Sequence, residues 1–463
     1  MKKAICLIVI ISSLSTSLFA AAQWDKLCNG RDLQGWTVLN GQAKFYIEKS
    51  MASRFRETPE DAERIFTIVG ESVTGQPNSF LCTDQQYGDF ILEYDMKIDE
   101  GLNSGVQIRS SSLADYKDGR VHGYQVEGDT AERAWSGGIY DEARRGWLYP
   151  LDINQKGRKA FSNGQWNSFR IEAFGNNIRT YINGVPCADL VDDMTNRGFI
   201  GLQVHSIGKK TELAGKKIYW KNLRILTEDV EENLYSADLS IPQVNLIPNT
   251  ISEKEKAQGW KLLWDGKTAK GWRGPKVEQF PDKGWKIENG ELIVTAGGGG
   301  GDIITTKKYG NFELKVDFKF TKGANSGIKY FIDPELTDGR ILGCEYQILD
   351  DKNHPDAKKG FAGNRTLASL YDLVPAANKL GKKVNSNGYN TARIIVKGDH
   401  VEHWLNNRKM LEYQRRTPKW SEMVAGSKFR KCATFGHAEK GHILLQDHGN
   451  QVNFRNIKIR EIE

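Results

Sequence analysis

The sequence predicts an all-β chain made of two β-sandwich domains of jelly-roll type in tandem. Three observations carry that expectation. Short alternating runs between Gly, Asn and Asp turns dominate, with 47 Gly among 463 residues, and helical periodicity is scarce. Aromatic residues are abundant, with 12 Trp, 16 Tyr and 19 Phe, as a sandwich core and its rims require. The first half of the chain also returns, stretch by stretch, in the second.

The clearest repeat is Asp118-Gly119-Arg120-Val121-His122-Gly123-Tyr124-Gln125-Val126-Glu127. It aligns without a gap on Asp338-Gly339-Arg340-Ile341-Leu342-Gly343-Cys344-Glu345-Tyr346-Gln347. Each piece opens with an Asp-Gly turn signal and runs on as an alternating strand. One face of that strand carries Gln125 and Glu127 in the first copy, and Glu345 and Gln347 in the second. An acid and an amide placed twice on one face mark the floor of a polar site. A half-wet strand face is the plainer alternative.

Taken in order, Met1 to Ala22 reads as a secretory leader. Lys2 and Lys3 are followed by an apolar run too short to span a bilayer and by a small-residue zone at Phe19-Ala20-Ala21-Ala22. The remainder is expected to be periplasmic or secreted, without a membrane span. The formal charge of +7 falls by two when that leader goes, and acids and bases are well mixed, which gives nucleic-acid binding no support. Five cysteines remain, widely spaced, and suggest neither a disulfide framework nor a zinc site.

The first domain is expected over 23–226, opening at Trp24 and closing a turn at Gly35-Trp36. An insert between Gly41 and Phe66 carries a charged piece, Glu57 to Arg64, that suits a short helix. The second domain is expected over 259–463, opening at Trp260, with its turn at Gly271-Trp272 and a hairpin at Asn289-Gly290. Gly297 to Gly301 lacks the Gly-Lys-Ser/Thr of a phosphate loop and reads as flexible. Asp350 to Asp356 is rich in oxygen ligands but lacks the pattern of a calcium loop, and reads as solvated. Long strands begin at Phe90 and Phe312, and both are expected to turn at Asn-Ser-Gly. Residues 227–258 read as an extended, partly ordered linker over the surface.

Leu-x-x-Gly-x-x-x-x-Gly-Trp at the opening, Asn325-Ser326-Gly327, Glu345-Tyr346-Gln347, Tyr371-Asp372, Tyr389-Asn390, Leu445-Gln446-Asp447-His448-Gly449 and Phe454-Arg455-Asn456-Ile457 together resemble the 3-keto-disaccharide hydrolase domain family. The resemblance covers nearly all the chain beyond the leader, and the second copy is the closer. The first has Gln125 for the acid, Glu127 for the amide and Val204 for Asp447, and keeps His205 and Arg109. The resemblance implies concanavalin-like sandwiches, export, and action on glycosides already oxidised at C3.

A C3 ketone acidifies the C2–H, so cleavage by elimination needs a base, a stabiliser for the enolate oxygen and an acid for the leaving group. In the second copy the candidates are His448 or Glu345 as base and Tyr371 as donor, with Gln347, Gln446 and Asp447 holding substrate. In the first they are His205 or Glu127 as base, Arg109 as enolate stabiliser and Tyr140 as donor, with Gln125 and Gln203 holding substrate. A divalent metal on His205, Glu127 and Gln125, or on His448, Glu345 and Asp447, is an alternative stabiliser. The rival class is a tandem lectin-like module that binds sugars on its aromatic rims without turnover.

Overall fold

A computed structural model describes residues 22–50, 65–236, 238, 240–377, 384–386 and 388–463. The expected leader, except for Ala22, and the helix expected over Glu57–Arg64 therefore lie outside the described residues. Each copy is a two-sheet β-sandwich. In the first copy one sheet runs Val244–Asn245, Val185–Val191, Asn177–Ile182, Asn167–Phe174, Phe90–Ile98, Lys217–Leu226, Ile65–Glu71, Lys44–Ser50. The other runs Gly146–Tyr149, Ile139–Glu142, His122–Asp129, Asn103–Ser111, Phe199–Val204, Ser79–Thr83, Trp36–Asn40. In the second copy the corresponding sheets are built around Val452–Glu461 beside Phe312–Phe320, and around Asn325–Ile332 beside Cys344–Leu349.

Strand period fixes which side chains meet. Leu92, Tyr94, Met96 and Ile98 face Val106, Ile108, Tyr124 and Val126 in one core. Leu314, Val316 and Phe318 face Ile328, Tyr330, Tyr346 and Ile348 in the other. Each such fully buried side chain contributes about 1.5–3 kcal/mol. The repeated Gly-Trp opening has a mechanical reason. Trp36 Nε1 donates to the Leu27 carbonyl at 2.9 Å, and Trp272 Nε1 to that of Leu263 at 3.0 Å, pinning each first strand to its opening turn.

Several local expectations hold. Trp285–Glu288 and Glu291–Val294 pair antiparallel across Asn289-Gly290, both at positive φ. Asp118-Gly119 and Asp338-Gly339 turn at positive φ. The five described cysteines are free thiols.

Others need correction. Asn103-Ser104-Gly105 and Asn325-Ser326-Gly327 are not turns but the first residues of their strands. In the first copy the turn falls one step earlier, at Asp99 to Leu102. The glycine run is not a free loop. Trp285 Nε1 donates to the Gly301 carbonyl at 2.8 Å, and a side chain on Gly300 would collide with the Lys283 carbonyl.

The linker is not an extended cover. Val244–Asn245 adds a parallel strand to the first copy. Ser252 then caps the helix Glu253–Ala257 in a capping box with Glu255. Neighbouring side chains of that helix face different copies. Lys254 Nζ reaches Asp189 of the first at 2.7 Å, and Glu255 reaches Lys458 Nζ of the second at 2.9 Å. All four groups are buried, which seats one sandwich against the other.

Candidate active site

The outward faces of Asn325–Ile332 and Cys344–Leu349 hold the second copy's candidates. Tyr346 and Ile348 point into the core, so Glu345 and Gln347 point away from it. Lys329 stands opposite Glu345, and Gly327 opposite Gln347. The register gives Glu345 its space, because a side chain on Gly327 would meet the Glu345 carboxylate.

Glu345 is buried, and burial raises its carboxyl above the ordinary 4.5. The ammonium groups of Lys329 and Lys428 oppose that rise, Asp302 adds to it, and His448 opposes it. Asp302 is likewise raised by burial, with Lys329 Nζ 3.8 Å from its carboxylate. Lys428 sits 3.9 Å over the Tyr371 ring and is lowered by its own burial. The structure thus gathers two acids that resist ionisation, two lysines, a histidine and a tyrosine in one place. Gln347 Oε1 and Gln446 Oε1 are buried there without a hydrogen-bond partner among the described residues.

The expected residues fare differently. Glu345, His448 and Tyr371 share this electrostatic group, His448 from an exposed position. The Tyr371 hydroxyl, however, donates to Asp356 at 2.8 Å, so its proton is already engaged. Asp447 is spent on the glycine run, accepting from Gly301 N at 3.0 Å, while its own N–H donates to Asp302. Lys329, Lys428 and Asp302 are not among the residues the sequence singles out. Lys329 was legible, since it alternates with Gly327 on the strand opposite Glu345. Lys428 and Asp302 come from distant loops that no local pattern ties to Glu345.

In the first copy the same positions form an amide network, in which Gln203 Oε1, like Gln446 Oε1, has no hydrogen-bond partner among the described residues. Gln107 stands opposite Gln125 and donates to it at 2.6 Å, and Gln203 donates to it at 2.7 Å. The Glu127 carboxylate accepts from Gln125 at 2.9 Å, from Asn103 at 2.7 Å and from Arg133 at 2.6 Å. Burial still raises Glu127 to about 7. Tyr140 lies within its field and packs edge-on against Trp147.

Arg109 does not join this group. A bulge at φ 45° turns it away, and its guanidinium donates to the Gly88 and Gly175 carbonyls and to Asp89. With those donors committed it is a strut, not an enolate stabiliser. The second copy makes the same brace with a different residue: Arg415 covers the Phe331 ring at 3.6 Å and reaches the Gly398 carbonyl. His205 is exposed and bonds to the Ser206 carbonyl. It lines a pocket of about 70 Å³ that no other candidate of its copy lines.

Neither proposed metal set is gathered. Among the described residues, the three ligand-type side chains whose ligand atoms all lie within 4.8 Å are His400, Glu402 and Glu412, on the other sheet. Asp350 is occupied by Gly323 N and Asn353, and Asp356 by Arg365 and Tyr371. In a cavity of about 650 Å³ on the first copy's other sheet, the lining acids are already paired. Glu93 holds Arg170 and Arg224, and Asp95 holds Ser168 and Asn222.

Fold and site together define a duplicated β-sandwich with a polar strand face in each copy. The chain belongs to the 3-keto-alpha-glucoside-1,2-lyase-like domain family, whose model matches residues 23–226 and again 259–460. A 3-keto-disaccharide hydrolase of Bacteroides thetaiotaomicron is 38% identical over 237 residues, spanning 45% of this chain and 80% of that protein. A crystal structure from Parabacteroides distasonis, titled as a suspected glycosyl hydrolase, is 31% identical over 47% of this chain and all of its own, with a TM-score of 0.42. The carbohydrate-binding module CBM66 of Bacillus subtilis matches 42% of this chain and 95% of its own at 18% identity, with a TM-score of 0.27.

Proposed function

We propose that the chain cleaves 3-keto-glycosides, and that the second copy does the chemistry. Family membership and the name of the Bacteroides relative support the substrate class. The single observation that carries the assignment is the buried Glu345 facing Lys329 and Lys428, with the raised Asp302 beside them. Two carboxyl groups in one site, both raised by burial, are groups suited to take and give protons.

Glu345 takes the C2 proton, and the C2–H electrons pass toward the C3 carbonyl to give an enolate. Lys329 and Lys428 hold the developing negative charge. The enolate re-forms the ketone and expels the C1 substituent, whose oxygen takes a proton from Asp302. Water then adds to C1, giving its proton to Asp302, and Glu345 returns its proton to C2, so that both groups are restored and the free 3-keto sugar is released. No electron is gained or lost overall. Gln347 Oε1 and Gln446 Oε1 accept hydrogen bonds from sugar hydroxyls, which removes two buried unpaired acceptors.

The first copy favours the second reading, sugar binding without turnover. Gln125 replaces Glu345 and Gln107 replaces Lys329. Phe80 stands where Asp302 does, since Leu81 and Ile303 occupy matching register. Export to the periplasm is part of the proposal and rests on Lys2, Lys3 and the small-residue zone. N-terminal sequencing of the exported protein tests it.

The reaction is tested with 4-nitrophenyl 3-keto-glucoside, with and without chelator, and by exchange of the C2 proton in deuterated water. Expected are nitrophenol release and exchange, both lost in Glu345→Gln and retained in Gln125→Ala. Binding without release or exchange in every arm would leave only the lectin-like reading.

A further inference from the structure

A second cavity opens beside the charged group. It has a volume of about 580 Å³ and includes Asp302 in its lining. Its apolar walls are Pro275, Val277, Pro281 and Ile341, and Gly300 and Gly301 also line it. Exposed Lys276, Asp282 and Lys283 complete the lining, with Gly274 beneath Val277.

The pocket is built. The glycine run closes onto Lys283 and Gly284 so tightly that a side chain on Gly284 or Gly300 would collide with the opposing backbone. Trp285 and Asp447 then fix Gly301 from either side. Val277 is 52% exposed within this wall, an apolar side chain left facing the opening.

At the matching place in the first copy, described side chains pack together. Phe80, in the position of Asp302, is fully buried with Cys82, Val121 and Phe199, and Leu39 packs against them. Val121 matches Ile341 in the repeat. What differs at this position is the residue itself: a buried Phe80 in the first copy, and in the second an acid, Asp302, that lines the cavity.

We infer that this pocket is the leaving-group subsite and takes an apolar aglycone, a conclusion that rests on the reaction proposed above. Asp302 is the group common to the charged cluster and the pocket. A glycosidic oxygen beside it has the oxidised sugar on the Glu345 side and its substituent among Pro275, Val277, Pro281 and Ile341. The volume lies within the range that encloses drug-sized groups, and largely apolar walls favour an aryl or alkyl substituent over a second sugar.

The test compares 4-nitrophenyl 3-keto-glucoside with methyl 3-keto-glucoside, using wild type, Val277→Asp and Val277→Leu. Val277→Asp is expected to lower kcat/KM at least tenfold on the aryl substrate and less than twofold on the methyl one. Val277→Leu is expected to keep the aryl rate within twofold. Equal losses on both substrates, or no loss on the aryl one, overturn the subsite while the reaction stands. Absence of turnover and of C2 exchange in the wild type overturns the reaction and the subsite with it.

Discussion

Replacing Glu345 by Gln tests the proposed chemistry most directly. The change removes one ionisable proton acceptor and keeps size and shape. The fold should tolerate it, because the first copy already holds an amide at this position, with Gln107 donating to Gln125 at 2.6 Å. A positioned general base contributes roughly 10²–10⁴ in rate, or about 2.7–5.4 kcal/mol of barrier. Release of 4-nitrophenol should fall by that factor. Wild-type activity should rise with pH through a midpoint above the ordinary 4.5, because burial holds the proton on Glu345 and only the ionised form accepts another. That limb should vanish in the variant. Stability should move the other way. A carboxyl raised in the folded state favours folding while protonated, and its contribution is lost as pH rises through the folded value. Glu345→Gln should therefore melt no lower than wild type at neutral pH. Activity within threefold of wild type, with the pH limb intact, would refute Glu345 as the base.

Three further outcomes follow from other parts of the molecule. Glu127, raised from 4.5 to about 7, makes the wild type lose about 3 kcal/mol of stability as pH climbs from about 4.5 through 7. Glu127→Gln should flatten that slope in urea titrations at a series of pH values. Arg109→Met removes the guanidinium that donates to the Gly88 and Gly175 carbonyls and to Asp89, leaving Asp89 with Gly175 N. It should cost ~3 kcal/mol of unfolding free energy, with aglycone release unchanged below the transition. Glu255→Ala strands the buried Lys458 and should cost about 3–5 kcal/mol, read as a lower first or second transition in calorimetry.

Much of this molecule was legible before any coordinates. Duplication, alternating strands and turn dipeptides are local signals, because strand period and positive-φ turns depend on neighbouring residues alone. They were enough for the tandem sandwich, for the shared face of Glu345 and Gln347, and for the Asn289-Gly290 hairpin. The capping box of Ser252 and Glu255 was equally local and shows that the linker begins a helix there.

The tertiary structure decided which residues share a space. Lys428 and Asp302 reach Glu345 from opposite directions along the chain, and sequence distance carries no sign of that meeting. Arg109 looked like a cation in a site, but a single bulge rotated it into a brace, because one residue at positive φ breaks the alternation that sequence reading assumes. The pocket beside Asp302 exists for the same kind of reason. A run of glycines lets one backbone lie against another, and the open volume is set by that close approach, not by any residue's own chemistry.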